Sequence, residues 1–150
     1  MADSKYALLI RLTDDKQKAA AERMGLAQAR LTEARSRLEQ LDGFRAEYRH
    51  RLTAGASQGM GIAQYQDFRR FLTRLDDAMQ QQQLEVERCM QRFLLEKQAW
   101  QQEYKKLKAY EKLLERESER ALKKQARAQQ KMTDEFATRR FWDVKHGDQN

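Results

Sequence analysis

The chain has no proline, a single cysteine, two histidines and only six glycines in 150 residues. Average usage of about 5% proline would give about seven in a chain this long. Their absence argues against a loop-rich all-β domain and for uninterrupted helix. The lone Cys89 cannot form an internal disulfide, which fits a reducing compartment. His50 and His146 are too few and too far apart in sequence for a metal site, so no metal or other cofactor is expected.

Long apolar runs are missing as well. Ala7-Leu8-Leu9-Ile10 is the longest near the start, far short of the roughly 20 residues of a membrane span and the 7 to 15 of a signal-peptide core. The chain is therefore expected in the cytoplasm. With 35% charged residues against 40% apolar, the composition suits an elongated protein better than one built around a single thick core.

What is present is heptad repetition. Ile10, Thr13, Gln17, Ala20, Met24, Ala27, Leu31, Ala34, Leu38, Leu41, Arg45, Tyr48 and Leu52 succeed one another at spacings of three and four, and all but three of them are apolar. This spacing predicts one helix seam. Leu72, Met79, Val86, Phe93, Trp100, Leu107, Leu114, Ala121 and Ala128 then recur every seven residues. Their companions begin as Phe68, Leu75, Gln82 and Cys89 and turn mostly polar at Glu96, Glu103, Glu117 and Lys124, with Tyr110 the exception. The second seam should fade toward the C-terminus.

Between the two seams, the polar stretch 53–61 holds Gly55, Gly59 and Gly61 and is expected to be the only turn. The fold class expected is all-α: one domain over residues 1–150, an antiparallel two-helix coiled-coil hairpin whose second helix is the longer. Its parts are helix one at about 5–52, the turn at 53–61, helix two at about 62–139 and a frayed tail at 141–150. At 1.5 Å per residue the helices would be about 70 and about 115 Å long. Folding back sets Tyr48 against Leu72, Leu41 against Met79, Ala27 against Phe93 and Ala20 against Trp100, small residues facing large ones. Tyr6 then reaches only about as far as Leu114, and the residues beyond Leu114 should overhang. A two-helix seam is only half covered, so the isolated chain should be marginally stable and completed by another protein.

Catalysis has no visible machinery. No Gly-Lys-Ser/Thr comes after the glycines and no strand precedes them, so they do not form a phosphate loop; no nucleophile elbow and no His/Glu pair at helical spacing occur. The chain is expected not to be an enzyme. Cys89, opposite Leu31, is expected to be a small core filler.

Charge is concentrated in one region. Residues 105–140 hold 12 Lys+Arg and 6 Asp+Glu, while the rest hold 18 and 17. A solvated surface carrying pairs such as Glu119/Lys123 is one explanation. An anionic partner is the other. Interspersed acids weaken the case for nucleic acid. An apolar stripe that is thin between Leu114 and Phe136 weakens the case for a membrane. An acidic protein cavity remains the better fit.

Two aromatic ridges flank the turn: Arg37, Leu41, Phe44 and Tyr48 on the first helix, and Phe71, Leu75, Ala78 and Gln82 on the second, both at i, i+4, i+7, i+11. They either widen the core near the turn or, with no third layer above them, form an exposed docking patch.

Taken in order, Glu47-Tyr48-Arg49, the turn ending Gly61-Ile62, Phe71 with Leu75 and Ala78, Trp100, Lys105-Lys106-Leu107-Lys108-Ala109 and Gln130-Lys131-Met132-Thr133-Asp134-Glu135-Phe136-Ala137 resemble the FliJ family of flagellar type III export proteins, over roughly residues 5 to 140. The resemblance implies a non-enzymatic cytoplasmic coiled coil shaped like the stalk subunit of rotary ATP synthases. It would bind and promote the hexameric export ATPase FliI and bind the cytoplasmic linker of the export-gate protein FlhA. It would also contact export chaperones and lie peripherally at the inner-membrane export apparatus.

The family's gate-binding surface maps onto Arg37, Leu41, Phe44, Tyr48, Phe71, Leu75, Ala78 and Gln82. Three of these depart from the enterobacterial pattern: Arg37 stands for glutamine, Phe44 for tyrosine and Gln82 for histidine. The ATPase side would involve Lys105, Lys106, Lys108, Arg127, Lys131, Asp134, Glu135 and Phe136. The alternatives are the equivalent stalk protein of a virulence type III secretion system and, more remotely, a basic coiled coil bound to nucleic acid.

Overall fold

The computed structural model of the chain describes residues 4–147. Two α-helices account for nearly all of them, α1 (Lys5–Ser57) and α2 (Ile62–Gly147), which form an antiparallel hairpin with the longer helix second. No strand occurs among the described residues. The contacts fall into two compact units. Residues 15–104 hold the turn and most of the seam; the described residues before 15 cluster with the described residues after 104.

In the 15–104 unit, α1 presents Ala20, Ala27, Leu31 and Ala34 as buried residues, and α2 presents Leu75 and Met79. The larger Val86, Phe93 and Trp100 are half-buried. Small side chains on α1 thus let the bulkier ones of α2 come close. Inter-helix hydrogen bonds agree with the expected register to within about one helical turn. The Gln82 Nε2 donates to the Ala34 carbonyl at 3.0 Å, the Trp100 Nε1 to Gln17 Oε1 at 3.0 Å, and the Arg23 Nε to Glu96 Oε2 at 3.3 Å.

Every one of the thirteen α1 seam positions is shielded from full exposure. On α2 the polar companions Glu96 and Glu103 are shielded too, so polarity alone does not mark where pairing stops. Glu96 keeps its place because Arg92, at 3.0 Å, joins Arg23 on its carboxylate. That charge is paired rather than stranded.

In the other unit, Thr13 and Leu107 are buried and Leu114 half-buried. Ser4 caps α1: its Oγ accepts from the Tyr6 backbone N–H at 3.2 Å, satisfying one of the orphan donors of the first turn. The same hydroxyl donates to Glu117 Oε2 at 3.1 Å. Beyond Leu114 every described residue is exposed, Ala121 and Ala128 of the heptad included.

The turn is shorter than 53–61. Helix α1 continues through Thr53, Ala54, Gly55, Ala56 and Ser57 and ends in a Schellman motif. The Met60 N–H donates to the Gly55 carbonyl at 2.9 Å, the Gly59 N–H to the Ala56 carbonyl at 3.5 Å, and Gly59 has a φ of 85°. Only the second of the three glycines sits where an L side chain would be strained. Alanines on either side of Gly55 favour helix, which is why the helix outlasts the polar composition. The tail expectation also needs correcting, because α2 runs on through 141–147. The chain's last three residues, 148–150, lie outside the described residues. Phe141, Trp142 and Val144 contain no breaker, and Lys145 and His146 sit favourably in the last turn of the helix dipole.

Candidate functional site

The eight residues of the two ridges all belong to the 15–104 unit. At their centre the ring of Tyr48 lies 4.4 Å from Phe71, tilted at 43°, and 6.1 Å from Phe68. Tyr48 and Phe68 are half-buried; Phe71 is 39% exposed and Phe44 52%. Phe44 and Phe71 both keep part of their surface in solvent, since two helices supply no third layer above them. An apolar aromatic surface open to solvent is the form a protein-docking site takes.

The remaining ridge residues divide. Leu41, Ala78 and Gln82 share one shallow depression with Leu84. Arg37 and Gln82 line another that also reaches Cys89. Leu75 is the exception, since it is only 8% exposed and faces the seam. It belongs to the core beneath the patch, because its spacing from Phe68 and Leu72 makes it a seam residue first. Gln82 is partly committed as well, through its bond to the Ala34 carbonyl.

Arg37 and Glu33 form a solvated pair at 2.8 Å, worth little to stability. Arg45 bridges Asp42 at 2.8 Å and Asp76 at 3.4 Å, tying the helices together beside the patch.

Three contributors were not singled out by the ridge spacing. Phe68 packs near the Tyr48 ring. Arg51 holds its guanidinium 5.6 Å from the Tyr48 ring centre while pairing with Glu47 at 2.7 Å. Leu84 is an exposed leucine at the depression's edge. Arg51 comes three residues after Tyr48, the spacing that puts helical neighbours on one face, so that signal was available.

The second set of candidate residues lies in the other unit, on α2. Lys105, Lys106, Lys108, Arg127, Lys131, Asp134 and Glu135 are exposed, as is Phe136 at 64%. Lys108 pairs with Glu111 at 3.3 Å, and Asp134 accepts from Gln130 at 3.0 Å.

Cys89 is half-buried, with its Sγ 3.6 Å from Glu85 Oε1. Burial, and then the Glu85 carboxylate, push the thiol above its ordinary pKa. This is the chemistry of an inert filler rather than of a nucleophile. Among the described residues no cluster of His, Cys, Asp and Glu could hold a metal, and no helix is long and apolar enough to cross a membrane.

Comparison with known proteins adds a second line of support. The family model described as Flagellar FliJ protein matches residues 2–146. A Flagellar FliJ protein of Escherichia coli (strain K12) is 28% identical over 133 residues, 89% of this chain and 90% of the relative. Another, from Salmonella typhi, is 28% identical over 120 residues, covering 80% and 82% respectively.

Proposed function

Because the chain belongs to the flagellar FliJ protein family, we propose that it is a non-enzymatic component of the flagellar type III export apparatus, which couples the export ATPase to the export gate from the cytoplasmic side. The observation that carries the reading is that Phe44 and Phe71 are both exposed to solvent, with Phe71 against the Tyr48 ring. The cytoplasmic linker of the gate protein FlhA docks there, on Leu41, Phe44, Tyr48, Phe71 and Ala78. Leu75 supports them from below, and Arg37 and Gln82 make polar contacts at one end.

Rigid aromatic anchors on a helix face exclude water and carry most of the affinity of such contacts. Tyr48 has both the Phe71 ring and the Arg51 guanidinium close to it, which limits its movement.

The exposed basic part of α2 approaches the FliI hexamer through Lys105, Lys106, Lys108, Arg127, Lys131, Asp134, Glu135 and Phe136. Support comes from the local excess of positive charge and from the exposure of every described residue beyond Leu114. Hydrolysis of ATP belongs to the ring, and this chain promotes its assembly. Export chaperones are further partners, and association with the inner membrane is peripheral.

The test is co-purification of the full chain, and of a chain ending at Leu114, with the gate's soluble domain and with the ATPase. The shortened chain should keep the gate domain and lose the ATPase. Retention of the ATPase would refute the assignment of the second surface.

A further inference from the structure

We propose that the groove leading away from the aromatic patch, between α1 and α2, is a cradle for an acidic segment of the protein that docks on that patch. The proposal rests on the gate reading of the patch and names the chemistry that should follow the partner's apolar anchors. All the residues concerned belong to the 15–104 unit.

Heptad spacing builds the groove. On α1, Arg23, Arg30 and Arg37 stand seven residues apart, and Phe44 is the next in that row. On α2, Phe71, Ala78, Glu85 and Arg92 keep the same spacing. Residues seven apart stay on one side of a coiled-coil helix, and the helices run antiparallel. Both rows therefore begin with phenylalanine nearest the turn and reach arginine away from it. Three shallow depressions connect the two ends. Leu41, Ala78, Glu85 and Arg88 line the one beside the patch. Glu85 with Arg30 and Arg37 lines the next, and Arg30, Arg88 and Arg92 line the last. Shared side chains make them one groove, and Cys89 lines its far half.

The groove is basic. Arg30, Arg37, Arg88 and Arg92 outnumber Glu33 and Glu85 by two, and adding the neighbouring Arg23–Glu96 pair leaves that excess unchanged. Its internal ion pairs are solvated. Arg37 and Glu33, 2.8 Å apart, are each 64% exposed, and Arg88, 3.7 Å from Glu85, is 76% exposed. Such pairs contribute little to stability and can be exchanged for a partner's carboxylates, which guanidinium groups bind in bidentate fashion. At 1.5 Å per residue the α1 arginines recur about every 10 Å and span about 20 Å, the reach of about six extended residues. Continuity with an aromatic docking patch favours a protein occupant, and the two glutamates inside the groove count against phosphate backbones.

The experiment uses the full chain, the gate's soluble domain with its linker, and hexaglutamate as a minimal acidic probe. Arg30→Gln with Arg88→Gln should weaken gate binding about tenfold at low salt and less than about twofold near 1 M salt, where surface charge is screened. Glu33→Gln with Glu85→Gln removes the competing carboxylates and should strengthen binding about threefold. Hexaglutamate should slow the reaction of Cys89 with a neutral chromogenic disulfide, and hexalysine should not. All four substituted side chains are exposed, so circular dichroism should show unchanged helix content.

Gate affinity at low salt that ignores the arginine pair overturns the proposal, and leaves the patch standing if Phe44→Ala with Phe71→Ala weakens binding. Loss with the arginine pair but not with the phenylalanine pair keeps the groove and refutes the patch. Weaker binding after the glutamate pair is changed counts against the groove, because it would make those carboxylates part of the contact. If the parent chain does not bind the gate domain, or the variants lose helix, Cys89 in the parent chain decides. Protection by hexaglutamate then upholds the groove, and an unchanged rate overturns it. An oligonucleotide of six phosphates that protects Cys89 better than hexaglutamate assigns the groove to nucleic acid and overturns the proposal equally.

Discussion

Tyr48 on α1 rests against Phe71 on α2 at 4.4 Å, and each ring limits what the other can do. Phe71 keeps more than a third of its surface in solvent, while Tyr48 is half-buried, so the pair is an exposed aromatic resting on a fixed one. A docking surface built this way is rigid before its partner arrives, and binding has little left to order.

Removing the exposed rings tests that surface. Phe44→Ala combined with Phe71→Ala should lower affinity for the gate's soluble domain by about 2 kcal/mol or more, the range of aromatic anchors, and abolish motility. Because neither ring is one of the heptad seam residues, helix content should not change. Calorimetric titration beside circular dichroism checks both halves; affinity within a factor of two of the parent chain would remove the patch from the binding surface.

How far this was legible in the sequence can be traced residue by residue. The heptads placed every shielded position of the α1 seam and the buried Leu75, Met79 and Leu107, because a period near 3.5 has few other structural solutions. They also placed the end of pairing near Leu114 from the difference in helix length. Ridge and seam share Leu75, and spacing alone does not say which claim prevails; its burial gives it to the seam. The heptads misjudged Glu96, whose acceptance into the seam depends on Arg23 and Arg92 reaching it from two helices. A turn over 53–61 is too long, because not every glycine in that stretch stops a helix. Only the left-handed backbone at Gly59 ends the helix, and that is a property of conformation rather than composition.

That distinction is itself testable. Gly59→Ala puts a Cβ on a backbone with φ of 85° and should cost about 1 to 2 kcal/mol. Gly55→Ala should be nearly neutral. Its new Cβ would press on the Met60 Cε, the flexible end of a side chain that can rotate away, while helix propensity gains about 1 kcal/mol. Urea unfolding of the two variants gives the comparison. Equal destabilisation would mean that Gly55, too, has a conformational role.

Truncation probes where folding stability resides. Ser4 reaches Glu117, and no described residue after Leu114 is shielded. A chain stopped after Ser118 should therefore melt within about 2 °C of the full chain, a shift smaller than 1 kcal/mol produces in a domain of this size. Stopping before Leu107, which is 6% exposed, removes a buried leucine worth roughly 2 kcal/mol or more and should lower Tm by several degrees. A large drop in the first case would show that the exposed helix stabilises the fold.

Cys89 gives a chemical readout of the seam. Partial burial first, and the Glu85 carboxylate second, raise its pKa above that of an unfolded thiol. The neutral thiol is thus the form the fold prefers. Its contribution to stability is fully present below the ordinary thiol pKa and is lost as pH rises through the higher folded value. At neutral pH less thiolate is present in the folded chain than in the unfolded one, so alkylation should be slower in buffer than in urea. Glu85→Gln removes both the charge and the carboxylate acceptor 3.6 Å from Sγ, and should speed the reaction of the folded protein without altering the rate in urea. Rates measured against pH with a chromogenic disulfide decide the matter. If Glu85→Gln leaves the folded rate where it was, the carboxylate has no hold on the thiol, and burial between the helices accounts for the whole shift.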